Sequence, residues 1–195
     1  MNSQKTKDFI LSNLRRNVRE TYDKPDLSFA KLEYPDPVAA FIQTATTAAG
    51  AHMVEMNESD DINDLIRNAY PHAKTIASNV PGIKADINPD DVDRPQDLDG
   101  TDVSVVEGTV GCAENACIWV PQTMKQRAVC FICEYLVIIV DRKNIVNNMH
   151  EAYSRIEMPE KGFGAFISGP SKTADIEQAL VYGAQSFCGV TIILR

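Results

Sequence analysis

The chain has 195 residues, and its hydrophobic fraction of 44% and charged fraction of 24% are those of an ordinary soluble globular protein. Its formal net charge of -8 repels nucleic acid over most of the surface, so we expect no nucleic-acid binding. The length suits one domain with a small appended element, and we divide the chain into an N-terminal helical extension, residues 1–35, and a single α/β domain, residues 36–195.

The N-terminal segment is predicted to form a basic amphipathic helix. Its apolar and basic residues are Phe9, Ile10, Leu14 and Val18, with Arg15, Arg16 and Arg19. Such a helix can lie on a membrane, but docking on its own domain or on a partner is the more ordinary role. The segment lacks the apolar core of a secretory signal, and the longest apolar run, residues 136–140, is too short to span a bilayer. We therefore expect a cytoplasmic protein without membrane insertion.

Helices and strands alternate in the first part of the domain. A helix is predicted over residues 37–49, a strand over 51–56, and a second helix over 62–69, where apolar residues recur at helical spacing. This helix stops before Pro71, and a short strand follows at residues 74–77. The αβαβ order indicates a layered α/β domain.

Residues 79–102 are rich in aspartate, proline and glycine and are predicted to form an acidic solvated loop, with a lid as the alternative. Their aspartates lack the spacing of a calcium-binding loop. Strong strand patterns follow at residues 103–106, 116–120 and 134–140, and residues 107–115 are predicted to be a turn-rich connection. The last of these strands is continuously apolar, which is typical of a strand buried on both faces of a parallel sheet.

The C-terminal part is predicted to continue the alternation. Helices are expected near residues 143–156 and at 173–184, and strands at 164–168 and 190–194. The last strand–helix–strand unit should cross over in the right-handed sense within one sheet.

The turn before the last predicted helix is a candidate ligand site. Parallel sheets bind ligands at the carboxyl ends of their strands, where helix N-termini offer free N–H groups. Thr173 is a plausible N-cap, and Ser171 and Lys172 could then face a carboxylate or a phosphate. The turn is not a P-loop, because Pro170 and Ser171 separate Gly169 from the lysine. A capped turn without a ligand is the alternative.

Two segments carry a family resemblance. Residues 167–177 read Ile-Ser-Gly-Pro-Ser-Lys-Thr-Ala-Asp-Ile-Glu, which closely resembles the Gly-Pro-Ser-Arg-Thr-Ala-Asp-Ile-Glu signature of the lactate-utilisation (LUD) domain family, the LutC/YkgG proteins. Residues 111–120 are similar to the family's Gly-Ile-Ala-Glu-Thr-Gly-Thr-Leu segment, and Arg127 fits a further family position. The resemblance covers most of the C-terminal half of the chain.

The resemblance implies a fold like that of the NagB/RpiA/CoA-transferase group, which is a mostly parallel sheet flanked by helices in three αβα layers. It also implies a role beside an iron–sulfur-containing LutB-like protein and a cysteine-rich LutA-like protein in oxidising L-lactate to pyruvate. It identifies no cofactor. The chain departs from the family at residues 132–135 and 183–187, where relatives often carry histidines. A changed ligand or a lost activity is therefore left open.

The candidate site combines the turn at residues 169–173, called the signature turn below, with two residues earlier in the chain, Arg127 and Glu114. The ligand-binding candidates for a small carboxylate or an anionic cofactor group are Gly169, Ser171, Lys172, Thr173 and Arg127. Glu114 is the catalytic candidate, because its Ala-Glu-Asn-Ala context faintly resembles the Ser-Glu-Asn-Gly of some CoA-transferases, in which the glutamate is the nucleophile. A structural glutamate that accepts backbone hydrogen bonds is the alternative.

The cysteines and histidines are not expected to form a centre. The cysteines are Cys112, Cys117, Cys130, Cys133 and Cys188. Four of them within a short span could bind zinc or an iron–sulfur cluster. However, Cys130 and Cys133 flank an apolar stretch in which cysteine behaves as a small hydrophobe, so we predict no metal site. His52, His72 and His150 are widely spaced, and no Gly-x-Ser-x-Gly elbow is present for serine hydrolysis.

The leading functional hypothesis is a LutC-like component of an L-lactate oxidation system that binds a small carboxylate or an anionic cofactor group. The alternatives are a free-standing CoA-transferase-like or sugar-phosphate-isomerase-like enzyme that uses Glu114, with Lys172 holding an anion, or a metabolite-binding module without catalysis.

Overall fold

The structure is a computed structural model that describes residues 3–18, 20, 22–26, 32–160, 162–173 and 180–195. The chain separates into two compact units, Met1–Lys31 and Leu32–Arg195. The first unit contains helix α1 (Ser3–Asn17), which has Arg15 and Arg16 in its last turn. This helix contains Phe9, Ile10 and Leu14, whereas Arg19 lies outside the described residues. Among the described residues, no helix combines the length and the apolar character needed to cross a membrane.

The second unit is built on a five-stranded sheet in which every neighbouring pair is parallel. Its strands are β1 (His52–Glu55), β2 (Ile76–Ala77), β3 (Val103–Glu107), β6 (Tyr135–Val140) and β11 (Gly189–Leu194). They lie in the order β1-β11-β6-β3-β2. The most apolar strands, β6 and β11, lie next to each other inside the sheet, where hydrogen bonds and packing on both faces are available to them.

The strands of a smaller, mixed sheet are β4 (Val110–Cys112), β5 (Cys117–Pro121), β7 (Ile145–Val146) and β8 (Gly164–Ile167). They lie in the order β7-β4-β5-β8. The antiparallel β4–β5 hairpin begins within residues 107–115, which the sequence predicts to be a turn-rich connection. That prediction missed β4, a three-residue strand too short for its apolar pattern to be recognised.

The α-helices in the described part of this unit are α2 (Pro37–Thr44), which continues into the π-helix Ala45–Ala49, α3 (Ile62–Ala69) and α4 (Met149–Arg155). The Asp36 carboxylate starts α2, since it accepts two backbone N–H groups at 3.0 Å. Helix α4 begins later than the predicted residue 143, because residues 145–146 pair with β4 and Asn148 provides the N-cap.

Both faces of the central sheet are buried. Along β6, Leu136 and Ile138 pack into one apolar cluster with Phe41 of α2, while Val137 packs into a second cluster with Ile66 of α3. Helices therefore cover the parallel sheet on both sides, which makes three layers. The predicted fold class, an α/β protein with a mostly parallel sheet flanked by helices, is confirmed.

The aspartates of the acidic loop hold backbone in place. The Asp102 carboxylate accepts the amides of Lys74 and Thr75 at 2.7 and 2.9 Å, and Asp86 accepts the first amide of β2 at 2.8 Å. The two bonds to Asp102, first of all the one from Thr75, lower the pKa of its carboxyl group. The loop is thus attached to the amino edge of the central sheet rather than freely solvated.

The predicted helix at residues 173–184 is wrong at both ends. Strand β9 (Lys172–Thr173) pairs antiparallel with β10 (Val181–Tyr182), and residues 174–179 lie outside the described residues. Thr173, Val181 and Tyr182 are residue types that favour strands, which is consistent with the observed pairing at the two ends of the predicted helix. Because β8 belongs to the smaller sheet, β8 and β11 do not form the predicted crossover within one sheet.

Candidate functional site

The signature turn packs against the end of the π-helix. Gly169 has a φ of +65°, and a Cβ at this position would overlap the carbonyl oxygen of Ala49. The Lys172 ammonium donates a hydrogen bond to the carbonyl oxygen of Ala48 at 3.2 Å and a second one to that of Ala49. The Ser171 amide donates to the Phe187 carbonyl at 3.1 Å. The turn is therefore fixed by contacts that include partners distant in sequence.

These contacts correct the interpretation of Lys172 and Thr173. Thr173 lies in a strand and is not a helix N-cap. Lys172 contacts the carbonyl end of a helix, which carries partial negative charge and attracts cations. Its ammonium is thus engaged by protein carbonyls, so Gly169, Ser171, Lys172 and Thr173 form a structural junction in this conformation. Their binding role remains a prediction.

Glu114 lies in the turn of the β4–β5 hairpin, and its exposed carboxylate accepts the Met149 amide at 3.0 Å. This bond satisfies a free N–H group in the first turn of α4. The neighbouring Asn115 carbonyl accepts the Ser168 hydroxyl at 2.7 Å. The two segments that carry the family resemblance therefore meet directly, and Glu114 has the geometry of a structural helix cap.

We expect Glu114→Gln to leave the fold intact and to lower the free energy of unfolding by about 1 kcal/mol or less, because an amide oxygen can still accept the Met149 amide. Urea unfolding of the two proteins gives the difference. If a CoA-transferase or isomerase activity were detected in the wild-type protein and lost in this folded variant, Glu114 would be catalytic after all.

Arg127 lines an open cavity of about 520 Å³. The other polar lining residues are Gln122, Lys125 and Gln126, and none of the residues that line the cavity is acidic. The guanidinium carbon of Arg127 lies 4.7 Å from the centre of the Phe163 ring, a cation–π contact that orients the side chain. We call this cavity the Arg127 groove.

The charge of the groove is only partly compensated. Lys125 forms an exposed ion pair with Asp93 at 3.1 Å. Arg127 has no carboxylate partner within the described part of the chain. An unpaired guanidinium beside two side-chain amides can bind a carboxylate or a phosphate, for which its planar donors are well suited. Of the sequence-based candidates, the groove includes Arg127 alone; Lys125 and the two glutamines were missed.

The carboxyl edge of the central sheet, where such folds usually bind ligands, is occupied by ion pairs. Arg195 contacts Glu107 and Asp141, each at 2.6 Å, and Arg142 contacts Glu55 at 2.7 Å. The bond from Arg195 lowers the pKa of Asp141. Each of these charged side chains at the strand ends is thus paired with a side chain of opposite charge.

The amino edge of the sheet carries two further cavities, of about 400 and 300 Å³, which share Asp102 and Glu134. In the larger cavity the rings of Tyr70 and Tyr135 lie 4.9 Å apart. Burial raises the pKa of Tyr70, whose hydroxyl lies 2.7 Å from that of Thr191. The smaller cavity has two thiols in its lining.

The cysteines and histidines form no centre within the described ranges. No group of three or more histidine, cysteine, aspartate or glutamate residues there is arranged to hold a metal ion. Burial raises the pKa of Cys130 to about 12 and that of Cys112 to about 11, so both thiols stay protonated at neutral pH. The three histidines are exposed, and only His72 lines one of the cavities described above.

Comparison with known proteins gives one family and one fold. A family model described as the LUD domain matches residues 90–194, which is more than half of the chain. The fold is similar to the 1.70 Å crystal structure of a DUF162 family protein from Deinococcus radiodurans, with a TM-score of 0.62 and 16% sequence identity over 84% of this chain and 99% of that one. No curated protein sequence matches the chain significantly.

Proposed function

Because this chain belongs to the LUD-domain family, we propose that it is a LutC-like component of an L-lactate oxidation system and binds a small carboxylate in the Arg127 groove. The family's association with lactate utilisation supports the pathway. The unpaired guanidinium of Arg127 is the observation that carries the binding site. In this proposal the protein acts in the cytoplasm beside an iron–sulfur-containing LutB-like protein and a cysteine-rich LutA-like protein.

The composition of the groove supports a small carboxylate rather than a large polyanion. Its cationic side chains are Lys125 and Arg127, while the protein as a whole has a net charge of -8. A local positive site in a negative surface attracts a singly charged molecule and still repels a long anionic chain. Phe131 and Ile132 add apolar lining for the short hydrocarbon part of a lactate-sized ligand.

We expect the wild-type protein to bind L-lactate or pyruvate and Arg127→Gln to bind it about tenfold more weakly, since a hydrogen bond to a charged group contributes about 1.5–3 kcal/mol. Titration calorimetry measures both affinities. Arg94→Gln is the matched control, because Arg94 is an exposed arginine that pairs with Asp97 outside the groove, and it should bind like the wild type. Equal affinity of wild type and Arg127→Gln would exclude the groove.

The role in lactate oxidation is tested separately in the native cells. Deletion of the gene should impair growth on L-lactate, and tagged protein should recover partners of the LutB and LutA kinds. Unchanged growth on lactate together with no such partners would refute the pathway, whether or not the groove binds a carboxylate.

A further inference from the structure

Two thiols lie at neighbouring strand starts on the amino edge of the central sheet. Cys133 precedes β6 and is buried, with 3% of its surface exposed, whereas Cys188 precedes β11 and is half-buried. Both line the cavity of about 300 Å³ at this edge. The cavity therefore gives a small reagent access to Cys188 and brings the second thiol to the same site.

The register of the strands sets their separation. Gly189 lies opposite Tyr135 in the parallel β11–β6 pair, so Cys188 lies opposite Glu134. The Cys188 amide and its thiol both donate to the Glu134 carbonyl oxygen, at 2.9 and 3.3 Å. Cys133 is the residue before Glu134, so the two thiols lie on neighbouring chain segments at the same end of the sheet and line the same cavity.

The Cys188 side chain is held in place from the other side. Gly183 has a φ of +73°, and a Cβ there would lie 2.5 Å from the Cβ of Cys188. The Ser186 hydroxyl donates to the Phe131 carbonyl at 2.7 Å, which attaches the segment between Gly183 and Cys188 to the chain that leads into β6. Cys188 therefore faces the cavity on a fixed backbone.

A buried hydroxyl group faces the other thiol. Ser104 is fully buried, and its hydroxyl has no hydrogen-bond partner among the described residues. Burial is the largest influence on the pKa of Cys133 and raises it, whereas the nearby Ser104 acts in the opposite direction. Ser104 therefore offsets part of the cost that burial adds to ionising Cys133, and the thiolate is the form that thiol–disulfide exchange requires.

We propose that Cys133 and Cys188 form a reversible intramolecular disulfide by exchange with a low-molecular-weight disulfide. The Cys188 thiolate attacks one sulfur of the reagent, which forms a mixed disulfide and releases one reagent thiol. The Cys133 thiolate then attacks the Cys188 sulfur and releases the second thiol. Two protein thiols become one disulfide, the reagent disulfide becomes two thiols, and reduction by excess thiol reverses both steps. The bond joins β6 to β11 across the cavity.

The test uses the full chain, reduced and then incubated with oxidised glutathione under native conditions. Digestion without reduction, followed by mass spectrometry, should give a peptide pair linked through Cys133 and Cys188 in monomeric protein. Cys133→Ser should retain glutathione on Cys188, and Cys188→Ser should leave Cys133 unmodified. Cys130→Ser removes a buried neighbouring thiol and should keep the link.

The variant Ser104→Ala tests whether the Ser104 hydroxyl assists formation of the disulfide or whether the closeness of the two thiols is sufficient. This variant should accumulate the mixed disulfide on Cys188 and close the intramolecular bond several-fold more slowly than the wild type. Persistent glutathione on Cys188 of the wild-type protein, a link through Cys130, an intermolecular link or no reaction at Cys188 would each overturn the proposal. None of these outcomes depends on whether the protein binds lactate.

Discussion

Replacing Gly169 with alanine is expected to destabilise the protein by about 3 kcal/mol, because a left-handed conformation costs a non-glycine residue about 1–2 kcal/mol and forced overpacking about 1–3 kcal/mol. Gly169 has a φ of +65°, and the added Cβ would overlap the Ala49 carbonyl oxygen and lie 2.8 Å from the carbonyl carbon. Both neighbours are backbone atoms that cannot rotate away. Urea unfolding followed by circular dichroism measures the free-energy difference.

Gly82→Ala is the matched control for this experiment. Gly82 has a φ of +85°, so it shares the left-handed conformation, but no atom lies within 4 Å of the position that an alanine Cβ would take there. We expect the control to lose about 1 kcal/mol, which is the conformational cost alone. If both variants lost the same free energy, the contact between Gly169 and the π-helix would not be tight, and the turn would be free to open for a ligand.

The central part of the fold follows from local patterns in the sequence. Residues 134–140 were predicted to be a strand buried on both faces because they are almost continuously apolar, and β6 has that burial. Helix α3 was predicted from its apolar spacing and from the proline that follows it. These elements are specified by residues within one element, and for that reason a single sequence was enough to predict them.

The errors fall where distant contacts decide the structure. Strand β9 includes Lys172, whose ammonium contacts the Ala49 carbonyl across 123 positions of sequence. No local pattern encodes that contact, and the apolar spacing of residues 176–184 favoured a helix instead. The late start of α4 has the same origin, because residues 145–146 pair with β4 rather than continue a helix.

The site was predicted only in part. Arg127 came from the family resemblance, while Gln122, Lys125 and Gln126 were missed. One signal was available: residues 122–127 contain these amides and cations with no acidic residue between them, in a chain with a net charge of -8. The sequence could not show that the Lys172 ammonium is already bound, since its carbonyl partners belong to a helix far along the chain.

Lys172→Met is expected to lower the free energy of unfolding by about 2 kcal/mol, since hydrogen bonds to charged groups contribute about 1.5–3 kcal/mol. Methionine keeps the length and the apolar stem of the side chain but cannot donate to the Ala48 and Ala49 carbonyls. It also loses the cation that faces the Tyr182 ring at 5.9 Å. Lys143→Met is the control, because the Lys143 side chain is 81% exposed and makes one ion pair at 3.7 Å; it should change stability by about 0.5 kcal/mol or less.

Lys172→Met also distinguishes between two roles of Lys172, which are capping the π-helix and holding an anionic ligand. If Lys172 caps the π-helix, Lys172→Met loses stability, and the folded fraction binds L-lactate or pyruvate as tightly as the wild type, because the Arg127 groove does not include Lys172. If Lys172 holds the anion, the variant keeps its stability and loses binding. Calorimetry and urea unfolding on one preparation separate these outcomes. The geometry favours the first, since two of the three N–H donors of the ammonium are already held by carbonyl oxygens at the end of the π-helix.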